Sequence, residues 1–191
     1  MGAAVTTLAV IDAAARVVAR RGDHAVRLAQ IAREAGTDEK DSAFSVWQSV
    51  PAIVDACYAR TAQTFEAALL SGETARGTGL DKLATFLVSV LQMRRERGSL
   101  LPFTAGAEAP QTQQKRQRER DMMIRGRLRR LLAGGQRDGS IAQRSIDCAC
   151  ELILATLQAR AVTADGPDQR MHDADLVEML LAAVAAVPPT Q

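Results

Sequence analysis

The fold is decided by one short stretch, Ile31-Ala32-Arg33-Glu34-Ala35-Gly36. It closes a predicted helix over residues 27–35, whose inner face carries Leu28 together with the first two residues of the stretch. Gly36 then ends the helix, because the residue after a helix often adopts a positive φ angle that glycine tolerates. A second short helix is predicted over residues 38–45. A helix, a tight glycine-containing turn and a second helix are the layout of a helix-turn-helix.

The segments on either side of this unit are also helical. Upstream, apolar residues recur at helical spacing over residues 7–21, and Gly22 ends that helix behind two arginines. Downstream, Ser49 caps a helix that continues to about Leu70. Residues 71–79 contain three glycines and predict a linker, so we place a domain boundary within or just before them.

The remaining sequence predicts further helices and no strand. Apolar residues make up 47 % of the chain and aromatic residues only 3 %, and alanine and leucine dominate the apolar set. Such a composition favours helices, since both side chains keep most of their freedom in a helix. The sequence therefore predicts an all-α protein of about nine helices. The later helices are predicted over residues 80–97, 111–133, 141–162 and 173–187, with an irregular stretch over residues 98–110.

Two aromatic residues follow the turn at the spacing of a known family. After the pattern Ile-Ala, two variable residues and Ala-Gly over residues 31–36, Phe44 lies in the second short helix and Trp47 three residues beyond it. In this pattern, and in the order of its later helices, the chain resembles the TetR family of bacterial transcriptional regulators. The resemblance covers nearly the whole chain and is most specific in the first 60 residues.

The resemblance implies a domain organisation and a function. It implies a helix-turn-helix domain over residues 1–50, a connecting helix over residues 51–71, and a ligand-sensing and dimerisation domain over residues 72–191. A homodimer would hold two heads about 34–36 Å apart on a palindromic site in double-stranded DNA. A small-molecule effector would release this repressor from its operator by favouring another head separation.

The same resemblance assigns candidate residues to three sites. The residues expected at the DNA are Arg27, Thr37, Lys40, Ser42, Phe44, Ser45 and Gln48. The walls of the ligand pocket are expected at Phe86, Val90, Met93, Phe103, Met122 and Met123, although each suits an ordinary core equally well. The dimer interface is expected at Ile153, Leu157, Met179, Leu180 and Val184.

Three positions of the head depart from the family's pattern. The family usually has a Ser or Thr, a Tyr and a Lys at positions near the DNA backbone, where this chain has Val26, Phe44 and Val50. Three acidic residues also stand in the expected recognition helix, where Asp38 suits a helix cap. Because phosphate contacts supply most of the non-specific affinity for DNA, each departure weakens binding. The alternative is therefore a dimeric ligand- or protein-binding module whose degenerate head has lost specific DNA binding.

Basic charge is concentrated away from the predicted head. Residues 94–137 carry twelve lysines and arginines against four acidic residues, whereas residues 1–60 are neutral. The run over residues 115–120 contains no aromatic residue, and Glu119 and Asp121 can pair with it along a helix. A solvated helix face is the simplest interpretation, and a site for DNA, an acidic partner or an anionic ligand is the alternative.

The sequence offers no chemistry that points to an enzyme. Its two histidines, His24 and His172, are not in a metal-ligand spacing, and no glycine-rich phosphate loop or nucleophile elbow is present. We expect no cofactor and no metal. The three cysteines are expected to be small buried apolar residues of a reducing compartment. With no secretory signal and no apolar run of about 20 residues, we expect a cytoplasmic protein without a membrane partner.

Overall fold

The computed structural model of the chain describes residues 6–22, 25–97, 101, 111–162 and 169–186. These residues contain no β-sheet, and the prediction of an all-α protein is confirmed. They form seven α-helices and one short 3-10 helix, and the predicted count of about nine helices stays a prediction for the whole chain. The elements are α1 (Thr7–Arg21), α2 (Leu28–Glu34), the 3-10 helix η1 (Ser42–Phe44), α3 (Val50–Thr74), α4 (Gly79–Arg97), α5 (Gln111–Arg137), α6 (Ile146–Val162) and α7 (Gln169–Val184).

The N-terminal elements enclose a small core of their own, which we call the head. Helices α1 and α2, η1 and the first turns of α3 surround it, and Gly36 follows α2 with φ of 72°. Alanines on α1 and α2 let these short helices approach closely. The buried members of the head core include Val10, Ala14, Ile31, Ala32, Phe44, Ile53, Val54, Cys57, Tyr58 and Leu101.

A larger core lies between the other half of α3 and helices α4 to α7. It contains Phe65 and Phe86, whose ring centroids lie 6.4 Å apart, and the inward residues of α5, α6 and α7. Helix α3 contributes to both cores, with Ile53 and Cys57 in the head core and Phe65 and Leu69 in the larger one. This helix is therefore the direct mechanical link between the two.

Helices α4 and α5 cross at two glycines. A Cβ atom on Gly79 would overlap the backbone of Gly135, and a Cβ on Gly135 would lie 2.5 Å from Ile141 Cδ1. The Asp138 carboxylate ties this crossing together, because it accepts hydrogen bonds from Gly79 N at 2.7 Å and from Ser140 N at 3.0 Å. The predicted stop of the long helix at residue 134 is wrong, since α5 continues to Arg137.

The last two helices also differ from the predicted bounds. Helix α6 begins at Ile146 and not at residue 141, because Ile141 forms an isolated antiparallel bridge with Ala185. The bridge is held by the hydrogen bond from Ala142 N to Val184 O at 2.9 Å. None of the described helices combines the length and the apolar character that a bilayer crossing demands.

Candidate functional site

The segment between α2 and α3 is not the predicted recognition helix. The sequence predicts an α-helix over residues 38–45, but the structure has only η1, which spans Ser42–Phe44. The Asp41 carboxylate accepts from Ala43 N at 2.8 Å and from the Thr37 hydroxyl at 2.7 Å, and Asp38 accepts from Lys40 N at 2.9 Å. These side chains offer the backbone local partners in a turn, which compete with the hydrogen bonds of a helix.

Most of the predicted DNA-binding residues are nevertheless exposed, four of them on this segment and Arg27 directly before α2. Arg27, Lys40, Ser42, Ser45 and Gln48 are all accessible to solvent. Thr37 is half-buried and its hydroxyl proton is used by Asp41.

Phe44 does not have the position that a DNA contact requires. Its side chain is only 6 % exposed and belongs to the head core, so the ring packs inside the head and does not face solvent. Val26 and Val50, the other two departures from the family's pattern, are partly buried against the same core. The three positions therefore support the head by packing and supply neither a hydroxyl nor a cation to a phosphate.

Ion pairs reduce the positive charge of the head. Glu34 on α2 binds Arg16 at 2.7 Å and also binds Arg20, both of which lie on α1. The hydrogen bonds from Arg20 and Arg16 lower the pKa of Glu34, so this carboxylate stays charged and balances one of the two arginines. Asp38 and Glu39 are exposed beside Lys40 at the tip of the segment.

The residues predicted to line a ligand pocket fall into different environments. Phe86 and Val90 are buried in the larger core, and Met93 is partly buried against it. Met122 and Met123 are 63 % and 45 % exposed on the outer side of α5, so they face solvent and do not line an internal cavity. Phe103 lies outside the described residues.

Two glutamines on α5 form a buried polar pair that the sequence interpretation missed. Gln113 and Gln117 are 5 % and 3 % exposed, and neither Nε2 atom has a hydrogen-bond partner in the part of the chain that the structure describes. They are four residues apart and continue the inward stripe of Ile124 and Leu128. The sequence does contain a signal for this pair, because both glutamines occupy positions at the helical spacing of the buried apolar residues.

A buried arginine on α4 is a further polar residue inside the helical bundle. Arg94 is 4 % exposed, and on α5 Gln113 and Gln117 precede the apolar core residues of the helix. The larger core therefore has a polar end at Gln113 and Gln117, on the side where Arg120 of α5 binds Asp55 of α3.

The α5 turn that carries Gln117 is bonded to α3. Arg120 Nη1 lies 3.2 Å from Asp55 Oδ1, and Arg116 Nε lies 3.8 Å from the same oxygen. Asp55 directly follows Val54 of the head core. Elsewhere on α5, Lys115 lies 4.0 Å from Glu119, as predicted, whereas Asp121 lies 2.7 Å from Arg125, which is outside the basic run.

Four of the five residues predicted at the dimer interface are buried within one chain. The larger core contains Ile153, Leu157, Leu180 and Val184. Their side chains have little solvent-accessible area that a dimer interface could bury. Met179 alone of the five is exposed, at 69 %. The adjacent outward stripe of α6 and α7 carries the exposed apolar residues Leu152, Met171 and Met179, with Cys148, Ala155, Ala182 and Ala183 beside them.

A small pocket opens on this outward face between α6 and α7. Its volume is about 160 Å³, and its walls include Cys148, Leu152 and Ala183. Cys57 and Cys150 are buried, whereas Cys148 is exposed. Among the described residues, no three side chains of the His, Cys, Asp and Glu types come together as a metal site.

Comparison with known proteins identifies the fold. No protein-family model matches the sequence, and no curated protein matches it. Solved structures do match over nearly the whole chain. AibR, solved in complex with isovaleryl coenzyme A and operator DNA, superposes with a TM-score of 0.71 and 15 % identity, covering 96 % of this chain and 99 % of that one.

Two further neighbours lead to the same fold. A TetR-family transcription regulator of Shewanella sp. PV-4 has a TM-score of 0.61 and 19 % identity, with 95 % of this chain and 98 % of that chain covered. The regulator FadR of Bacillus subtilis, solved with stearoyl-CoA, has a TM-score of 0.62 and 18 % identity, with 91 % and 95 % covered. The resemblance seen in residues 31–47 is thus confirmed at the level of the fold: the chain has the fold of TetR-family transcription regulators.

Proposed function

We propose that this protein is a dimeric DNA-binding transcriptional regulator, a repressor that a small-molecule effector releases from its operator. The observation that carries the proposal is the correspondence with solved regulators along the whole chain, from the head to α7. A match confined to the head would support DNA binding alone, because helix-turn-helix units occur in many architectures.

In this proposal the DNA is contacted by Arg27, directly before α2, and by the exposed polar residues between α2 and α3. Arg27 and Lys40 bind phosphates, while Ser42, Ser45 and Gln48 approach base edges or the sugar-phosphate backbone. With few cations, the head has a weak electrostatic hold on DNA, and Asp38 and Glu39 reduce it further. We therefore expect a shallow salt dependence for a protein of this fold.

The effector is proposed to bind at the polar end of the larger core. An unpaired buried amide costs about 1–3 kcal/mol, so Gln113 and Gln117 favour any ligand that offers hydrogen-bond acceptors to their Nε2 atoms. A carbonyl or carboxylate is such a group. Coenzyme A thioesters are the first compounds to test, because they carry carbonyls and two neighbours of this fold were solved with them.

The contact between Asp55 and Arg120 provides the coupling between effector and head. A ligand held by Gln117 shifts the α5 turn that carries Arg116 and Arg120, and Asp55 on α3 follows because it is bonded to both. Since α3 also belongs to the head core, this displacement changes the orientation of the head. The effector then acts by its different affinities for the two head positions.

The dimer is proposed to form through the outward stripe of α6 and α7. Leu152, Met171 and Met179 are large apolar side chains left exposed in the single chain, which is unusual unless another surface covers them. The pocket of about 160 Å³ between the helices has room for one side chain of a partner. A twofold axis between the two chains would place the two heads symmetrically, as the two half-sites of a palindromic DNA site require.

Selection of binding sites from a pool of random double-stranded DNA tests the proposal. We expect enrichment of an inverted repeat whose half-sites are centred about one helical turn apart. The variant Arg27→Ala/Lys40→Ala should enrich nothing, whereas the matched variant Lys115→Ala/Arg118→Ala on the exposed part of α5 should enrich the same repeat. A wild-type selection that yields no common sequence would refute specific DNA binding.

One observation favours a second candidate, a dimeric ligand- or protein-binding module with a degenerate head. The recognition segment forms only η1, and its Asp38 and Asp41 carboxylates are used to hold a turn. If the selection fails while coenzyme A thioesters still raise the melting temperature of the wild type by more than that of Gln113→Leu/Gln117→Leu, this second candidate replaces the first.

A further inference from the structure

A basic groove lies at the end of the molecule remote from the head. It is formed where α3 ends, α4 begins and α5 completes its last turns, and its volume is about 620 Å³. Since α3 spans 25 residues from the head core, its last residue lies roughly 36 Å from its first. The charged residues of the wall are Glu73, Lys82, Arg127, Arg130, Arg137 and Asp138.

The two acidic residues of this groove already have partners. Glu73 binds Arg127 through two hydrogen bonds of 2.6 and 3.0 Å, and the Arg127 guanidinium lowers the pKa of Glu73. The Asp138 carboxylate accepts from Gly79 N and from Ser140. Both carboxylates are thus committed to contacts that hold the groove together.

Three cations of the groove form no salt bridge within the described residues. Lys82 lies near enough to Asp138, and Arg130 near enough to Glu73, to lower the pKa of these carboxylates, and Arg137 donates from Nε to the carbonyl of Ala133 at 3.3 Å. Together with the pair of Arg127 and Glu73 and the lone Asp138, they leave the wall with a net charge of +2. An anion in the groove would meet these cations without displacing an existing salt bridge.

The scaffold fixes the backbone positions of the residues that carry the cations. Lys82 stands one turn into α4, and Arg130 and Arg137 stand on α5, and these helices are locked at the Gly79–Gly135 crossing. Gly134 forms part of the floor and has no side chain, with Arg137 Nη2 3.8 Å from where its Cβ would lie. The two helices thus present these cations to one groove, and the exposed side chains of Arg130 and Arg137 become ordered on binding.

We infer that this groove binds a soluble phosphorylated small molecule. Its volume is in the range of small-ligand pockets, about 300–1,000 Å³, and guanidinium and ammonium groups match phosphate oxygens. No aromatic side chain lines it for stacking on nucleic-acid bases, and Leu131 is its one large apolar side chain, too little for a membrane surface. This inference does not depend on DNA binding by the head.

Calorimetric titration of the full chain, without DNA and at low salt, tests the inference. The probes are inorganic pyrophosphate and ATP, titrated into the wild type, into Lys82→Gln/Arg130→Gln, and into the charge-matched control Lys115→Gln/Arg118→Gln. We expect the groove variant to bind at least about tenfold more weakly than the wild type, because two charge-assisted contacts are lost, and the control to bind like the wild type.

The outcomes separate the proposal from its rivals. Equal weakening in both variants would show a diffuse charge effect and overturn the inference, as would failure of the wild type to bind either probe. Binding of anionic phospholipid vesicles without binding of pyrophosphate or ATP would overturn it in favour of a lipid headgroup. Melting temperatures of the two variants close to that of the wild type establish that a weaker titration reflects the groove and not unfolding.

Discussion

Gln113 and Gln117 illustrate how two residues create a binding requirement inside a core. Their positions continue the inward stripe of α5, so the helix cannot turn them to solvent without also exposing Ile124 and Leu128. Each buried Nε2 atom lacks a hydrogen-bond partner in the described part of the chain, which costs free energy of folding. A ligand with acceptor groups would supply the missing hydrogen bonds. The same atoms therefore reduce stability in the free protein and supply affinity for an effector.

Gln117→Leu should stabilise the ligand-free protein. We expect the free energy of unfolding to rise by about 1–3 kcal/mol, because an apolar side chain of similar size removes an unsatisfied amide from the core. Urea denaturation of the variant and the wild type measures this difference in the free energy of unfolding. The control Gln92→Leu, at an exposed position of α4, should change stability by less than about 0.5 kcal/mol. A loss of stability in Gln117→Leu would mean that this amide is already satisfied.

The cysteines differ in their accessibility and in their acidity. Burial raises the pKa of the Cys57 thiol from 9.0 to about 12 and also raises the pKa of Cys150. A thiol must ionise to react, so both should stay silent in the folded protein. The folded state also binds the Cys57 proton more tightly than the unfolded chain, so this residue lowers the free energy of unfolding as the pH rises from about 9 towards 12.

Thiol labelling of Cys148→Ser checks this expectation. With the exposed cysteine removed, we expect no labelling by a thiol reagent at pH 8 until urea unfolds the protein, and then two thiols per chain. Immediate labelling of either remaining cysteine in native buffer would contradict the burial of that residue.

At the scale of elements, local side-chain chemistry explains which helices could be predicted. Helices α1, α4 and α5 follow from apolar periodicity, because several turns of one pattern outweigh any single residue. The predicted helix over residues 38–45 has only about two turns, so its apolar pattern does not outweigh the effect of single residues. The local bonds of Asp38 and Asp41 determine its shape, and only the three residues of η1 remain helical.

The glycines of α5 show why helix ends can mislead. The pair Gly134-Gly135 predicts a helix end, yet the Gly135 backbone must accommodate Gly79 of α4 and the side chain of Ile141. Position 135 must be a glycine because two helices approach closely there, and this contact cannot be recognised from the sequence before the helices are placed. Gly134 faces the open groove and has no such constraint.

Alanine at these two neighbouring positions should have opposite effects. Gly135→Ala should destabilise the protein by at least about 1–3 kcal/mol, because its Cβ would lie 2.5 Å from Ile141 Cδ1. Gly134→Ala should raise the free energy of unfolding by up to about 1 kcal/mol, because alanine favours the helix and meets only Arg137. Urea denaturation of the pair measures both. Equal effects would contradict the close packing of the crossing.

At the scale of the whole molecule, the sequence identified the architecture better than the sites. The order of the helices and the resemblance were enough for an all-α chain with the TetR fold. Which stripe of α6 and α7 faces outward could not be read from the sequence, because apolar residues occupy both stripes. Ile153 and Leu157 fill the core of one chain, and Leu152 one position away is exposed. The domain bounds stay a prediction.

Leu152→Glu/Met179→Glu should convert the proposed dimer into a monomer. A carboxylate at either position is exposed in the single chain, so folding is preserved, but it would be desolvated in an interface of α6 and α7. Light scattering after size-exclusion chromatography measures the mass. The control Leu70→Glu, at an exposed position of α3, should leave the mass of the wild type unchanged. A dimeric double variant would place the interface on another face.

Binding to the DNA that flanks the protein's own gene, measured over a series of salt concentrations against random DNA of equal length, tests the central claim most directly. The account predicts a preference of about 10³-fold or more for one flanking site, with an affinity that falls as salt rises. Equally weak binding to both DNAs, even at low salt, would contradict it and leave a ligand-binding dimer whose head reads no sequence.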